Sequence, residues 1–288
     1  MSKTQKDSKQ DKKQSYDMRH ETRQIIGGSM NFAAAEAYKL LRTNLTFSLS
    51  GEEDACYVVG VTSSFRAEGK SVTAINLAYT LAEAQKRVLL LEGDMRLPTL
   101  ARRLELNAVP GLSNLLAGMC TWKECCQVFE TSTEGKTVKV DVLVSGDVPP
   151  NPSELLGGQR MQLLIERLRQ YYDFIIVDLP PVTAVADPIV ACKIADGMII
   201  IVRADHTIRD AVAETVRQLR QIDARILGFV FNAAGEGGGG YYRGRRYYRK
   251  NYYRKYYKSY SYYGGGYHGD YRRAQSAAEQ AQNGNNHA

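Results

Sequence analysis

The sequence predicts an α/β fold built on a mostly parallel β-sheet with helices on both faces. Six short apolar runs point to it: Tyr57 to Thr62, Val88 to Leu91, Val140 to Val144, Phe174 to Val177, Gly197 to Val202 and Ile226 to Phe231. They are rich in Val and Ile and do not strictly alternate, as expected of strands buried on both faces of a parallel sheet. Helical patterns separate several of them, Ser71 to Lys86, Ser153 to Gln170 and Thr207 to Gln221, and strands alternating with helices complete the signature. After Asn232 the composition turns to glycine, then to tyrosine and arginine, so the fold is expected to end near residue 234.

The remaining segments follow in chain order. Residues 1–30 read as a disordered lead, because the first 24 are nearly without aliphatic side chains and rich in Lys, Gln and Asp. From residue 31 to 48, Phe32, Ala35, Leu40, Leu41 and Leu45 punctuate an amphipathic helix with Glu36, Lys39 and Arg42 along one side. Residues 31–235 form one folded domain, and residues 236–288 a flexible tail rich in Tyr, Arg and Gly. A chain of 288 residues suits one sizeable domain with extensions. Its formal charge of +7 is uneven: +3 in residues 1–24, +8 in 241–288 and −4 between them.

Counting excludes several classes of chemistry. The four histidines are His20, His206, His268 and His287, three of them in the end segments, which disfavours a His-dependent triad or a His-rich metal site. The five cysteines form no CxxC pair, and reduced thiols in a cytosolic fold are expected. The longest apolar runs fall far short of the ~18 to 20 residues that span a bilayer, so any membrane role is expected to be by association.

The chemistry gathers at strand ends. The first strand runs into Ser63-Ser64-Phe65-Arg66-Ala67-Glu68-Gly69-Lys70-Ser71-Val72, and a strand, a loop ending in Gly-Lys-Ser and a helix N-terminus make a phosphate cradle. In such a cradle Lys70 reaches the β- and γ-phosphates and the Ser71 hydroxyl sits on Mg²⁺. Ser64 stands where a strict GxxxxGK[ST] pattern has its first glycine. Two later strands end in acids, Leu91-Glu92-Gly93-Asp94 and Val177-Asp178. In an open parallel sheet ligands bind at the carboxyl ends of the strands, so these acids are expected to converge on the phosphate loop. The fold class is thereby narrowed to a P-loop nucleotide-binding fold.

These residues carry a resemblance to a known family. The stretches TSSFRAEGKS, LLLEGDMRLP and FIIVDLPP are similar to the Walker A, A′ and B motifs of the bacterial tyrosine kinases that regulate capsular or exopolysaccharide synthesis, in the ParA/MinD-like P-loop superfamily. GLSNLLAG from Gly111 and SGDVPPNPSELL from Ser145 are also close to family sequence, and the resemblance covers about residues 31 to 270. It implies ATP and Mg²⁺ as cofactors. It implies Lys70, Glu92, Asp94 and Asp178 as catalytic residues, with Glu92 or Asp94 taking the tyrosine proton and Ser71, Asp94 and Asp178 organising the metal. Residues Ser64 to Val72 would hold the phosphates, and Asn232 would contact adenine, where a strand-end turn residue is the alternative.

The resemblance also implies a cycle. Thirteen of the nineteen tyrosines lie in the tail: Tyr241, Tyr242, Tyr247, Tyr248, Tyr252, Tyr253, Tyr256, Tyr257, Tyr260, Tyr262, Tyr263, Tyr267 and Tyr271. They are the expected phosphoacceptors, modified by a neighbouring subunit in a ring-like homo-oligomer. Full modification would carry the tail from +8 to roughly −12 to −18, and such tails would repel one another. Glu36, Lys39 and Arg42 are similar to the family's ExxRxxR oligomerisation motif, with Lys39 for the first Arg. Further partners implied are a membrane adaptor of the polysaccharide co-polymerase type that recruits a cytoplasmic kinase to the inner face of the membrane, a cognate tyrosine phosphatase and downstream polysaccharide-synthesis enzymes. No nucleic acid is expected.

Two departures in the site stand out: Glu92 replaces the first Walker A′ Asp, and Arg66-Ala67 replace Pro-Gly. Phe65 holds the place of the signature lysine of ParA/MinD positioning ATPases, which counts against that class. A positioning ATPase without kinase activity is one alternative. A tail that binds nucleic acid through tyrosine stacking and arginine contacts is another.

Overall fold

The structure is a computed structural model that describes residues 30, 32–49, 55–133 and 136–233. The lead, the tail and all thirteen tail tyrosines lie outside the described residues, apart from Met30. In chain order the elements are α1 (Phe32–Leu49), β1 (Tyr57–Ser63), α2 (Lys70–Glu83), β2 (Val88–Glu92), α3 (Leu100–Leu104), α4 (Leu112–Ala117), α5 (Trp122–Cys125), β3 (Cys126–Thr133) and β4 (Lys136–Leu143). They continue with α6 (Pro152–Gly157), α7 (Gln159–Leu168), β5 (Phe174–Asp178), α8 (Asp187–Ala191), β6 (Gly197–Arg203), α9 (Arg209–Arg220) and β7 (Ile226–Asn232).

Seven strands form a sheet in the order β3-β4-β2-β5-β1-β6-β7. Every pairing is parallel except β3 with β4. The apolar runs make the buried strands β1, β2, β5 and β6, as expected. Because successive side chains point to opposite faces, each run feeds two cores. Val59, Leu90 and Ile176 pack under α1, α2 and α3, whereas Val58, Leu89, Ile175 and Ile200 pack under α4, α6, α7 and α9. Each fully buried Leu, Ile or Val stabilises the sheet by roughly 1.5–3 kcal/mol relative to exposure.

Helix α2 is buried along most of its length, and its last turn is capped from α1, where Arg42 Nη1 donates to the Thr80 carbonyl at 2.7 Å and lies 3.6 Å from Glu83. A cation on the final carbonyls of a helix opposes its dipole favourably.

The structure departs from the sequence reading in four places. The strand β3 had no apolar run to announce it, because CQVFETST is an edge strand in which Glu130 and Ser132 are exposed and interrupt the apolar residues. The helix expected over Ser153 to Gln170 is two helices, broken at Gly158, whose ψ of 159° is extended. The helix expected to reach Lys86 stops at Glu83, and Gln85 takes φ 64°. The expectation of five reduced thiols is corrected: Cys120 and Cys125 are joined as a disulfide, while Cys56, Cys126 and Cys192 are free. Cys120 precedes the short helix α5 and Cys125 ends it, and that turn of helix brings the two sulfurs together, a proximity that spacing does not reveal. No helix among the described residues is long and apolar enough to cross a membrane.

Candidate active site

The loop between β1 and α2 is built to hold one shape. Ala67 and Gly69 take left-handed backbone, with φ 59° and 95°. At Gly69 the φ of 95° is strained for any L side chain, and a Cβ would also displace Asn232 Nδ2, which it would meet at 2.0 Å; at Ala67 left-handed backbone costs an L-residue roughly 1 kcal/mol. The loop is strapped from neighbouring elements. Buried Glu68 accepts the Phe65 amide at 2.9 Å and the Thr207 hydroxyl, and burial pushes its carboxyl above the ordinary range despite those bonds. Arg203 Nη1 donates to the Ala67 carbonyl at 2.7 Å, and Asn232 Nδ2 to the Glu68 carbonyl at 2.9 Å. His206 Nε2 lies 3.3 Å from the Arg66 carbonyl, the Ser64 hydroxyl meets that of Thr215 at 2.9 Å, and Thr183 donates to the Ser64 carbonyl. Val72 is buried behind it. A fixed loop leading into a helix whose first amides have no intrahelical partner is an anion site.

Acids from two adjacent strands meet this loop. Lys70 Nζ donates to Asp94 Oδ2 at 3.1 Å, and Asp94 Oδ1 accepts the Leu97 amide at 3.1 Å. Both partners are largely buried, with side chains 13% and 6% exposed. Asp178 is fully buried, and neither of its carboxylate oxygens has a hydrogen-bond partner of good geometry. Burial raises its pKa; Lys70 and the nearby Ser71 hydroxyl act in the opposite sense, and the Asp94 charge adds to the rise.

A buried carboxylate without partners is costly, and it marks a place where a cation belongs. Asp178, Asp94 and the Ser71 hydroxyl offer hard oxygen donors of the kind Mg²⁺ takes alongside phosphate oxygens. The donor set fits that ion.

Comparison with known proteins shows the family of the chain. Residues 67–228 match the family described as an AAA domain. The tyrosine-protein kinase YwqD of Bacillus subtilis is 33% identical over 198 residues, which is 69% of this chain and 80% of YwqD. The chain belongs to the bacterial tyrosine kinases. Among solved structures it is similar to the kinase domain of Escherichia coli tyrosine kinase ETK, at 30% identity and a TM-score of 0.64 over 72% of this chain and 80% of that one. It is also similar to the chimerical protein CapA2B2, at 32% identity and a TM-score of 0.62 over 68% of this chain and 83% of that one.

In this bacterial tyrosine kinase the departures from family pattern have visible consequences. Glu92 does not reach Lys70. Its Oε1 accepts the Thr99 and Leu100 amides at 2.5 and 2.7 Å, and its Oε2 accepts the Ser145 amide at 3.0 Å. Burial raises its pKa to about 7, against the pull of those three amides. Asn232 is placed on the phosphate loop, with Oδ1 accepting the Ala233 amide at 2.8 Å. On α1, Lys39 pairs with Glu36 at 2.9 Å on an exposed face, while Arg42 is committed to α2 of the same chain.

Sequence reasoning missed the supports. Arg96 is forked onto the fully buried Asp187, with Nε to Oδ2 at 2.8 Å and Nη2 to Oδ1 at 3.1 Å, and Ser153 donates to the same acid. Arg96 and Ser153 lie in motifs close to family sequence; Asp187 is 91 residues from its partner and had no local signal.

Proposed function

We propose that this kinase transfers the γ-phosphoryl group of ATP to tyrosines, first those between Tyr241 and Tyr271 in the tail of a neighbouring copy. The observation that supports it is the meeting of Lys70, Asp94 and the unpartnered carboxylate of Asp178 beside Ser71 at the end of a strapped phosphate loop. Residues Ser64 to Val72 bind the phosphates through loop and helix amides. Lys70 stabilises charge on the phosphoryl oxygens, as expected for a loose transition state governed by positioning and electrostatics. Ser71, Asp94 and Asp178 would hold Mg²⁺, which would neutralise phosphate charge when bound. Asp94, which meets Lys70 at the phosphate loop, is the general base of this proposal; the Glu92 carboxylate is engaged by three amides and orients the loop that carries Asp94.

Residues 31–235 form the catalytic domain, 1–30 its lead and 236–288 its substrate tail. Transfer occurs between subunits of a ring-like oligomer in which Glu36 and Lys39, exposed on α1, face a neighbour. The kinase works at the inner face of the membrane, recruited and activated by an adaptor, and with a cognate phosphatase and downstream enzymes it regulates capsular or exopolysaccharide synthesis and export. The similarity to the CapA2B2 chimera supports the search for an adaptor. The test is mass-spectrometric mapping of phosphotyrosine after incubation with ATP and Mg²⁺, with and without an adaptor-tail peptide, beside a Lys70→Met control. Phosphate confined to residues 241–271 and lost in the control supports this reading; ATP hydrolysis without phosphotyrosine overturns it.

A further inference from the structure

At the opposite edge of the sheet from Lys70 lies a cavity of about 870 Å³ that phosphoryl transfer does not use. It opens where β2 begins at Val88, whereas Glu92 and the acids of the active site stand at the strand's far end. The four residue steps from Val88 to Glu92 set the two apart by roughly 13 Å.

Its walls combine two chemistries. Lys86, Arg87, Lys139 and Arg167 bring four positive charges against the single carboxylate of Asp141. Arg87 is paired with Asp173 at 2.6 Å and Lys139 with Glu130 at 3.1 Å, while Lys86 and Arg167 meet no carboxylate within ion-pair distance among the described residues. Trp122 and the 65% exposed Tyr171 supply aromatic wall. At the floor, Tyr172 donates its hydroxyl to Asp141 at 2.6 Å, which engages the one acid.

We propose that this cavity is a phosphotyrosine-binding site, taking a phosphorylated tail tyrosine of a second copy of this chain. Phosphotyrosine is an aromatic ring carrying about −1.5 to −2 charges. Its ring suits the face of Trp122 or Tyr171, and its phosphate suits Lys86 and Arg167 through charge-assisted hydrogen bonds. The unmodified tail carries +8, so the cavity's own charges repel it, and phosphorylation reverses that sign. The site therefore distinguishes the product of the kinase from its substrate, at a distance from the catalytic loop. This rests on the reading of residues 241–271 as phosphoacceptors, so synthetic peptides are used: binding and autophosphorylation then succeed or fail separately.

The experiment is a fluorescence-anisotropy titration of the full chain, carrying Lys70→Met so that its own tail stays unmodified. The labelled peptide spans residues 252–263, which include Arg254, Lys255 and Lys258, and is phosphorylated at Tyr262; an unmodified peptide and one phosphorylated at Ser261 are the comparisons. Binding of the phosphotyrosine peptide is expected to be at least about tenfold tighter than that of either comparison. Lys86→Gln with Arg167→Gln, both exposed, should weaken it about fivefold or more, as should Trp122→Leu. In the chain with Lys70 intact, the Lys86 and Arg167 changes should leave the initial rate of autophosphorylation unchanged. Equal affinity for modified and unmodified peptides, or an unaltered affinity in the Lys86/Arg167 variant, overturns the proposal. So does binding of a nucleoside diphosphate sugar that the phosphopeptide fails to displace.

Discussion

Glu92 and Asp178 end adjacent parallel strands as register partners, both fully buried, yet their carboxylates are held in opposite ways. Glu92 accepts three backbone amides, and Asp178 accepts no hydrogen bond of good geometry. One acid is a structural pin and the other is held ready for a cation. The two should therefore respond differently to substitution.

Removing the Asp178 charge should stabilise the protein while abolishing its chemistry. Asp178→Asn relieves a fully buried carboxylate that accepts no hydrogen bond of good geometry and is only partly offset by Lys70, and is expected to add roughly 1–3 kcal/mol of stability in the absence of ligand. Mg²⁺-dependent ATP binding and tyrosine phosphorylation should both fall by about a hundredfold or more. Urea unfolding and isothermal titration measure the two effects, and a variant that is less stable without Mg²⁺ contradicts the assignment.

Glu92 should show the reverse. Glu92→Ala leaves the Thr99, Leu100 and Ser145 amides without their acceptor, at a cost of roughly 3 kcal/mol or more. Glu92→Gln, which keeps an acceptor, is expected to retain phosphorylation within about tenfold, whereas Asp94→Asn loses about a hundredfold or more. Equal losses in the two amide variants would return the base to Glu92.

Stability should also depend on pH through Glu92. Burial holds its carboxyl at about 7 in the folded chain, against the usual 4.5. Between those values the unfolded chain has released this proton and the native chain keeps it, so stability falls as pH rises from 4.5 to 7 and levels off above. The full effect is roughly 3 kcal/mol. Glu68 and Asp178, also raised by burial, act in the same direction. Urea unfolding at a series of pH values should give a shallower slope for Glu92→Gln than for the natural sequence; parallel slopes would assign the dependence elsewhere.

Ala67 stands in left-handed backbone that glycine adopts freely. Ala67→Gly should raise the melting temperature by about 1–3 °C, the relief of strain being partly offset by the greater freedom of glycine in the unfolded chain. Thermal unfolding by circular dichroism reads it directly, and a lower melting point would show that the φ of 59° carries no strain.

The fork of Arg96 on Asp187 holds the loop after Asp94 to α8. Asp187→Ala leaves a guanidinium that is two-thirds buried without its partner, and the expected cost is roughly 2–4 kcal/mol. Because the Asp94 loop loosens as well, phosphorylation should fall through kcat more than through KM. A rise in KM alone would place Asp187 outside the support of the catalytic loop.

What was legible in the sequence was local. Buried parallel strands are continuous apolar runs, so β1, β2, β5 and β6 announced themselves. Gly-Lys-Ser after a strand, and acids at two further strand ends, carried the phosphate loop, Lys70, Asp94 and Asp178, because each depends on neighbours a few residues away. The polar edge strand β3 and the break at Gly158 were not visible, since edge strands need no apolar run and one extended residue leaves periodicity nearly intact.

By itself, the sequence determined that this chain is a parallel α/β protein with a phosphate loop and strand-end acids, because backbone periodicity and loop chemistry are encoded in adjacent residues. Only the tertiary structure decided what each acid does. Glu92 and Asp178 differ by one methylene and both follow an apolar run; what separates them is whether amides from Thr99, Leu100 and Ser145 come within hydrogen-bond distance. The pairing of Arg96 with Asp187 and the gathering of Lys86, Arg167 and Trp122 around one cavity were likewise decided by packing. Electrostatics and hydrogen bonding act through space, and distance through space is the quantity that a chain discloses only once it has folded.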